Sequence, residues 1–253
     1  MCSSDLRTEI EFRWIEEARL NVRRGMTGAT GNIYCGLHEF VEMAFVLHLL
    51  RPGDLFLDIG ANIGSYTVLA SKVCGARTIA FEPDPEVAAV LSNNIRANDI
   101  ESLASVRRTA LGDHCGEIRF TTGMDATNHV AGPGDDATQI VPLTRLDDIS
   151  EAAAPTLIKL DVEGFEERVL GGAARVLASP SLLAVQSELS TRRINEILGS
   201  FGFKPAFYDP LTRELADRPL AHRVINMLYI RDTEAVAEKV ATARRRNVFG
   251  TQL

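Results

Sequence analysis

The amino-acid sequence predicts an α/β fold: a doubly wound, Rossmann-like and mainly parallel sheet of seven strands, with its last strand antiparallel and a helical extension at the N-terminus. Residues 55–59 and 157–161 are short, nearly all-apolar runs of the kind that lie buried on both faces of a parallel sheet. Amphipathic helical patterns separate the predicted strands, as in a sheet covered by helices on both faces. The strand at 55–59, the helix at 65–73 and the strand at 78–82 have the spacing of a right-handed βαβ unit.

The rest of the chain continues this alternation of strands and helices. Pro85 predicts the start of a helix over residues 85–98, because proline is favoured in the first turn. Further strands are predicted at residues 105–110, 117–122, 182–188, 203–208 and 225–231, and further helices at 165–177 and 191–199. No helix separates the last two strands, so they can pair antiparallel. Residues 123–137, rich in Gly and Asp, are predicted to form a surface excursion.

Three parts are predicted along the chain: an N-terminal helical cover over residues 1–50, a ligand-binding domain over 51–232, and a C-terminal helix and tail over 233–253. The basic run Arg244-Arg245-Arg246 ends the helical pattern of the last part, where it complements the helix dipole. We interpret this run as a solvated tail.

Within the N-terminal cover, apolar residues recur at helical spacing over residues 9–24, which predicts an amphipathic helix lying on the domain. Residues 25–36 are rich in Gly, Thr and Asn and are predicted to be a loop. A second helical pattern follows over residues 38–50 and is closed by Arg51-Pro52-Gly53.

Composition excludes several classes of protein. The 253 residues carry a formal net charge of -7 and only 6% aromatic residues, which argues against nucleic-acid binding, because phosphates require a basic face. The four cysteines are far apart, so neither a zinc site nor a disulfide framework is expected; they are Cys2, Cys35, Cys74 and Cys115. No apolar run approaches the roughly 20 residues that span a bilayer, and the N-terminus has no signal-peptide pattern. We therefore expect a cytoplasmic protein without membrane contact.

Acidic residues end three of the predicted strands, where parallel sheets bind their ligands. They are Asp58, Glu82 and Asp161. Gly60 and Gly64 follow the first strand and allow the backbone to turn sharply beside a ligand at the start of a helix. Glu82 lies about 20 residues further on, the position at which an acidic side chain accepts both ribose hydroxyls. The sequence therefore predicts a nucleoside ligand.

The charges near the glycine loop indicate which nucleoside-containing ligand it binds. A dinucleotide places its pyrophosphate on a G-x-G-x-x-G turn, whereas this loop has another glycine spacing and Asp58 directly before it. S-adenosylmethionine has no phosphate, and carboxylates attract its ammonium and sulfonium groups. An NAD(P)-dependent oxidoreductase and a noncatalytic partner protein that keeps the fold stay as alternatives, although the intact glycine loop disfavours the second.

Four segments together resemble the FkbM-type S-adenosylmethionine-dependent methyltransferases. The segments are LDIGANIGSYT at 57–67, FEPDP at 81–85, ALGD at 110–113 and IKLDVEGFE at 158–166. The resemblance covers roughly residues 34–230 and includes the order and spacing of these segments. The sequence departs from the family pattern at residues 186–189 and around residues 128–129. Both segments are expected on the substrate side, so the identity of the acceptor molecule stays open.

The resemblance implies methyl transfer from S-adenosylmethionine, usually to an oxygen of a sugar, polyketide or related metabolite, by the domain over residues 51–232. It implies that the amino-acid half of the cofactor is held by the first loop, its ribose by Glu82 and its adenine by the region of Ala110 and Leu111. The full set of residues expected around the cofactor is Asp58, Gly60, Ala61, Asn62, Gly64, Ser65, Glu82, Pro83, Ala110 and Leu111.

A hydroxyl acceptor has to lose a proton, which requires a base. The candidates are Asp161, Glu163, Glu188 and His129, the last because histidine titrates near neutrality. A divalent metal held by the three carboxylates is an alternative to metal-free catalysis, which we favour. We expect a small hydroxylated molecule as the partner; the oligomeric state stays open, with a homodimer among the alternatives.

Overall fold

The computed structural model describes residues 10–23, 26–123, 128–220 and 224–253. Its strands are β1 (Ile10–Arg13), β2 (Arg19–Val22), β3 (Leu55–Ile59), β4 (Arg77–Phe81), β5 (Ala104–Arg107), β6 (Ala110–Leu111), β7 (Gly116–Thr121), β8 (Thr138–Thr144), β9 (Leu157–Leu160), β10 (Ala184–Ser187), β11 (Lys204–Asp209), β12 (Glu214–Ala216), β13 (Met227–Ile230), β14 (Asn247–Val248) and β15 (Thr251–Gln252). Its α-helices are α1 (Thr27–Cys35), α2 (Phe40–Leu49), α3 (Ser65–Val68), α4 (Pro85–Ala97), α5 (Glu166–Gly171), α6 (Ala174–Leu177), α7 (Arg192–Ser200) and α8 (Thr233–Ala241).

The central sheet has the order β12-β11-β13-β10-β9-β3-β4-β5. Strands β10, β9, β3, β4 and β5 run parallel. Strand β13 runs antiparallel to both of its neighbours, β10 and β11, which confirms the predicted antiparallel last strand. The described chain forms eight strands in this sheet rather than seven, because β12 adds a short edge strand beside β11.

The chain order reverses between β3 and β9. From β3 the chain moves through β4 to β5, and it then returns to the other side of β3 as β9. Ligand crevices of doubly wound sheets lie at such a reversal, beyond the carboxyl ends of the strands. The loops after β3 and β9 therefore meet at one place.

Apolar packing explains why the central strands could be predicted. All five residues of β3 are buried: Leu55, Leu57 and Ile59 pack in the core on one face of the sheet, and Phe56 packs in the core on the other. Helix α2 covers that second face and is buried over its whole length except at Phe40. A helix that is apolar all round belongs in a core rather than on a surface.

The N-terminal segment is a β-hairpin, so the helix predicted over residues 9–24 is wrong. Strands β1 and β2 pair antiparallel, with Ile10 opposite Val22 and Arg13 opposite Arg19. Leu20 and Val22 point inward and alternate with polar residues, which is the period of a strand. Ile15, Ala18 and Val22 also fit a helical spacing, so the two periods overlapped in the sequence.

Three further elements differ from the predicted secondary structure because of tertiary contacts. Residues 27–35, predicted as a loop, form helix α1, whose Asn32 accepts a hydrogen bond from the His38 backbone N–H at 2.9 Å. The strand predicted at 105–110 divides into β5 in the central sheet and β6 in a second sheet, of order β6-β8-β7. Strand β8 was not predicted, since Pro142 lies within it.

The basic C-terminal run is not a free tail. Arg246 forms an ion pair with Glu16 at 2.6 Å and donates to the carbonyl of Val73 at 2.9 Å. It therefore ties the C-terminal segment to the turn of the N-terminal hairpin. Cys35, Cys74 and Cys115 are free thiols; Cys2 lies outside the described residues. No helix within the described residues is long and apolar enough to cross a bilayer.

Two asparagines, Asn94 in α4 and Asn98 directly after it, dock the hairpin. Asn98 accepts from the Arg19 backbone N–H and donates to the Arg19 carbonyl, both at 2.8 Å. Asn94 accepts from the Asn21 backbone N–H at 2.7 Å and donates to the carbonyl of Ile63 at 2.8 Å. Both side chains are buried. They form the hydrogen bonds that water would otherwise form with backbone groups of the hairpin.

We expect Asn98→Ala to lower the free energy of unfolding by about 2 kcal/mol, because it leaves the buried Asn98 site empty and removes the partners of two partly buried backbone groups of Arg19. Urea denaturation measures this change. The control is Asn93→Ala in α4, where the side chain accepts from Arg96 instead and the expected loss is below about 0.5 kcal/mol. Equal losses in the two variants would contradict the docking role of Asn98.

Candidate functional site

A cleft of about 230 Å³ opens at the carboxyl ends of β3, β4 and β9. Its walls come from the loops after these strands, from α2 and from the segment before β13. The lining includes Ala61, Asn62, Ser65, Glu82, Pro83, Ala110, Leu111, Asp161, Glu163 and Glu188, all singled out from the sequence, together with Gly60. Asp58, Gly64 and His129 do not line the cleft.

The loop after β3 approaches β9 so closely that only glycine fits at position 60. Gly60 has φ +79°, and a Cβ atom there would lie 1.7 Å from the carbonyl oxygen of Asp161. The N–H groups of Gly60 and Ala61 both donate to the carbonyl of Phe81, at 3.1 and 3.0 Å. Gly64, with φ +92°, precedes α3, and a Cβ atom there would meet Leu91 at 2.3 Å.

Glu82 connects this loop to the one after β4. Its Oε2 accepts from the Asn62 N–H and its Oε1 from the Asp84 N–H, each at 2.9 Å. The side chain is 6% exposed and faces the cleft. Burial raises the pKa of Glu82 to about 7, although the two N–H groups act in the opposite direction. Each carboxylate oxygen can accept a second hydrogen bond, so Glu82 can also receive hydroxyl donors from the cleft.

Asp58 lies behind the loop, 1% exposed. Its Oδ2 accepts from the Thr67 hydroxyl at 2.6 Å, and its Oδ1 has no partner among the described residues. Burial raises the pKa of Asp58, whereas the charge of Lys159 lowers it. Asp58 therefore connects the end of β3 to Thr67 of α3, on the far side of the glycine loop.

One end of the cleft is apolar. Ala110 and Leu111, in β6, lie there with Pro83, and the side chains of Phe120 and Phe165 complete this wall. Apolar walls in a cleft that also exposes the Glu82 carboxylate suit a purine attached to a ribose.

The opposite end is acidic. One carboxylate oxygen from each of Asp161, Glu163 and Glu188 lies within 4.8 Å of the others. Burial and the charge of Asp161 raise the pKa of Glu188 to about 8, and burial followed by the charge of Asp161 raises the pKa of Glu163. Carboxylate oxygens at such distances can hold a hard divalent cation or accept hydroxyl protons from a substrate.

Lys159, which the sequence reasoning missed, supplies a positive charge at this end. It is 3% exposed, its Nζ lies 2.5 Å from Asp161 Oδ2, and it stands 4.8 Å from the centre of the Tyr66 ring. Burial acts to lower the pKa of Lys159, but the charges of Asp161, Glu39 and Asp58 outweigh it and raise the pKa. The available signal was a lysine two residues before Asp161, on the same face of an otherwise apolar strand.

A second missed group links α2 to the segment before β13. The Tyr66 hydroxyl donates to Glu39, which also accepts from Asn226 Nδ2 at 3.1 Å. Glu42 Oε1 accepts from the backbone N–H groups of Ile225 and Asn226, at 2.6 and 2.9 Å. These contacts hold Glu39 and Asn226 against the acidic end of the cleft.

His129 lies in the loop between β7 and β8. Its backbone N–H donates to the Thr121 hydroxyl at 2.8 Å, and its Nε2 lies 3.3 Å from Asp135 Oδ2. Its neighbours Asn128 and Val130 line the cleft. The three carboxylates thus gather at one end, whereas the fourth candidate base pairs with an acid of its own loop.

Comparison with known proteins gives a consistent picture. Residues 58–215 match the family model described as "Methyltransferase FkbM domain". The hexuronic acid methyltransferase AglP of Haloferax volcanii is 28% identical over 56% of this chain and 59% of its own length. The 31-O-demethyl-FK506 methyltransferase FkbM of Streptomyces tacrolimicus is 31% identical over 53% of this chain and 65% of its own length. The chain thus matches less than two thirds of the length of either relative.

One solved structure among the matches is also similar at low identity. The crystal structure of Methyltransferase FkbM from Methylobacillus flagellatus KT is 21% identical, with a TM-score of 0.48, and the match covers 83% of this chain and 56% of that one.

We expect Gly60→Ala to lower the free energy of unfolding by more than about 3 kcal/mol, because its Cβ would overlap the Asp161 carbonyl oxygen. The matched control is Gly164→Ala, which also has positive φ but no atom within 4 Å of the new Cβ. There, only the backbone strain of about 1–2 kcal/mol applies. Thermal and urea unfolding compare the variants, and similar losses would rule out the close approach at Gly60.

The raised pKa of Glu82 predicts a pH-dependent stability. The folded state favours protonated Glu82, so its contribution is fully present below the unfolded pKa of 4.5 and is lost as the pH rises through about 7. Relative to Glu82→Gln, the wild type should lose about 3 kcal/mol of unfolding free energy between pH 4.5 and 8. Urea titrations at several pH values measure this difference, and a constant difference would contradict the prediction.

Proposed function

Because the chain belongs to the FkbM methyltransferase family, we propose that it transfers a methyl group from S-adenosylmethionine to a hydroxyl oxygen of a small molecule such as a sugar or polyketide. The observation that carries this proposal is the buried Glu82 carboxylate, which faces a cleft between the glycine loop and an apolar wall. The names of the two relatives, one for a hexuronic acid and one for a demethyl-FK506, support a small-molecule acceptor.

The residues of the cleft fit this cofactor. Glu82 would accept the ribose hydroxyls, and Ala110 and Leu111 would lie against the adenine. The loop at residues 60–64 would hold the amino-acid half, with Gly60 allowing the backbone to come close. The unpartnered Oδ1 of Asp58, beneath that loop, adds negative charge that favours the cofactor's ammonium and sulfonium groups.

The same charges disfavour a nicotinamide dinucleotide. Its pyrophosphate would have to lie on the glycine loop, beside Asp58 and Glu82. Among the described side chains that line the cleft, Lys159 is the one cation, and it pairs with Asp161. Pyrophosphate in that place would be repelled rather than held, which supports a methyl donor over the oxidoreductase alternative.

Bound S-adenosylmethionine supplies a methyl carbon that its positive sulfur already activates. The protein has to align the acceptor hydroxyl in line with the C–S bond and exclude water. The acidic end of the cleft would accept the proton that the acceptor hydroxyl loses when it is methylated. Asp161, Glu163 and Glu188 are the candidates, and the proton then leaves to solvent. His129, whose neighbours Asn128 and Val130 line the cleft, is the fourth candidate.

We favour a metal-free route. Lys159 Nζ already lies against one Asp161 oxygen at 2.5 Å and supplies positive charge there. A divalent cation at the three carboxylates is the alternative, since their oxygens are the ligands that hard cations prefer.

The test is calorimetric titration of the purified protein with S-adenosylhomocysteine, with NAD as the comparison ligand. We expect micromolar binding of S-adenosylhomocysteine that Glu82→Ala weakens at least about tenfold, through the loss of hydrogen bonds to a carboxylate. Glu86→Ala, an exposed acid two residues into α4, is the control and should bind normally. Absent binding, or a preference for NAD, would overturn the proposal.

A further inference from the structure

We propose that the acceptor lobe of the cleft selects a polyol without negative charge, either neutral or bearing an amino group, and rejects the corresponding uronate. The acceptor lobe is the acidic end formed by Glu39, Lys159, Asp161, Glu163, Glu188 and Asn226. This inference rests on the proposed function and names the substrate class of the same site.

Charge is the first support. Four carboxyl groups border the lobe, from Glu39, Asp161, Glu163 and Glu188, and the first three supply its negative charge. Lys159 is the one cation among the described residues that line it, and its ammonium is buried against Asp161. An anionic acceptor would find its attraction to Lys159 offset by several like charges at short distance.

Unpaired acceptor atoms are the second, independent support. Asn226 is 2% exposed and lines the cleft, and its Oδ1 has no hydrogen-bonding partner among the described residues. Its Nδ2 is engaged by Glu39, and Glu42 fixes its backbone N–H, so the side chain cannot readily turn away. Glu188 Oε2 is likewise buried and without a partner.

These unpaired oxygens require donors. Hydroxyl and ammonium groups donate hydrogen bonds, whereas an ionised carboxylate only accepts them. A site built around buried acceptors discriminates strongly against a ligand that leaves them unpaired. Glu39, Asp161 and Glu163 already bring negative charge to the lobe, and Lys159 is paired with Asp161, so a further carboxylate would be repelled there.

The test measures the rate at which the full chain methylates matched sets of sugars with radiolabelled S-adenosylmethionine. Each set contains the aldose, the amino sugar and the uronate of one configuration: gluco, galacto and manno. We expect the neutral or amino member of at least one set to be methylated at least about tenfold faster than its uronate. Saturation-transfer NMR on protein saturated with S-adenosylhomocysteine reads binding of the same sugars without turnover.

Glu163→Gln removes one negative charge from the lobe. It should reduce the preference for binding the neutral or amino sugar over the matching uronate several-fold. Glu167→Gln, an exposed acid of α5 outside the cleft lining, is the control and should leave the preference unchanged. NMR gives this comparison even if Glu163→Gln loses turnover.

Three outcomes would overturn the inference while S-adenosylhomocysteine still binds: a uronate equal to or better than its neutral partner, an unchanged preference in Glu163→Gln, or no binding and no methylation of any sugar. Failure of S-adenosylhomocysteine to bind would instead overturn the proposed function itself.

Discussion

The Glu82 carboxylate joins the two loops on which the cleft depends. It accepts one backbone N–H from the loop after β3 and one from the turn before α4, so the ends of two neighbouring strands are held by a single side chain. Burying this group is costly, as its raised pKa shows. Asp84 caps α4 and fixes the second loop, and Gly60 lets the first loop reach β9. The acidic group that the ligand would meet is therefore also the group that shapes its pocket.

The parts outside the central sheet are tied to the same loop. Asn94 of α4 contacts the hairpin backbone on one side and the carbonyl of Ile63 on the other, so the N-terminal hairpin supports the loop after β3 from behind. Helix α2 carries Glu39 to the cleft and Glu42 to the backbone before β13. The N-terminal part thus contributes to the binding site as well as covering the core.

The central sheet could be predicted because strands buried on both faces leave an unambiguous apolar signature, and because Asp58, Glu82 and Asp161 follow strands whose ends must meet. The hairpin at residues 10–22 could not be predicted, because its apolar residues fit both the period of two of a strand and the spacing of a helix. Asn226 could not be predicted because its role depends on Glu39 and Glu42, which are distant in sequence. Lys159 did leave a signal, its position two residues before Asp161, but its contact with the Tyr66 ring depends on the fold. For His129, the sequence places a histidine near the site, but only the fold decides that Asp135 faces it.

The contact of Arg246 with Glu16 and with the carbonyl of Val73 brings the first and last described segments together. Arg213 adds to this closure by donating to the carbonyls that end α8. Loss of order at either end would remove partners from the other, so neither segment can detach alone without cost. The hairpin turn and the C-terminal segment are therefore expected to unfold together rather than one at a time.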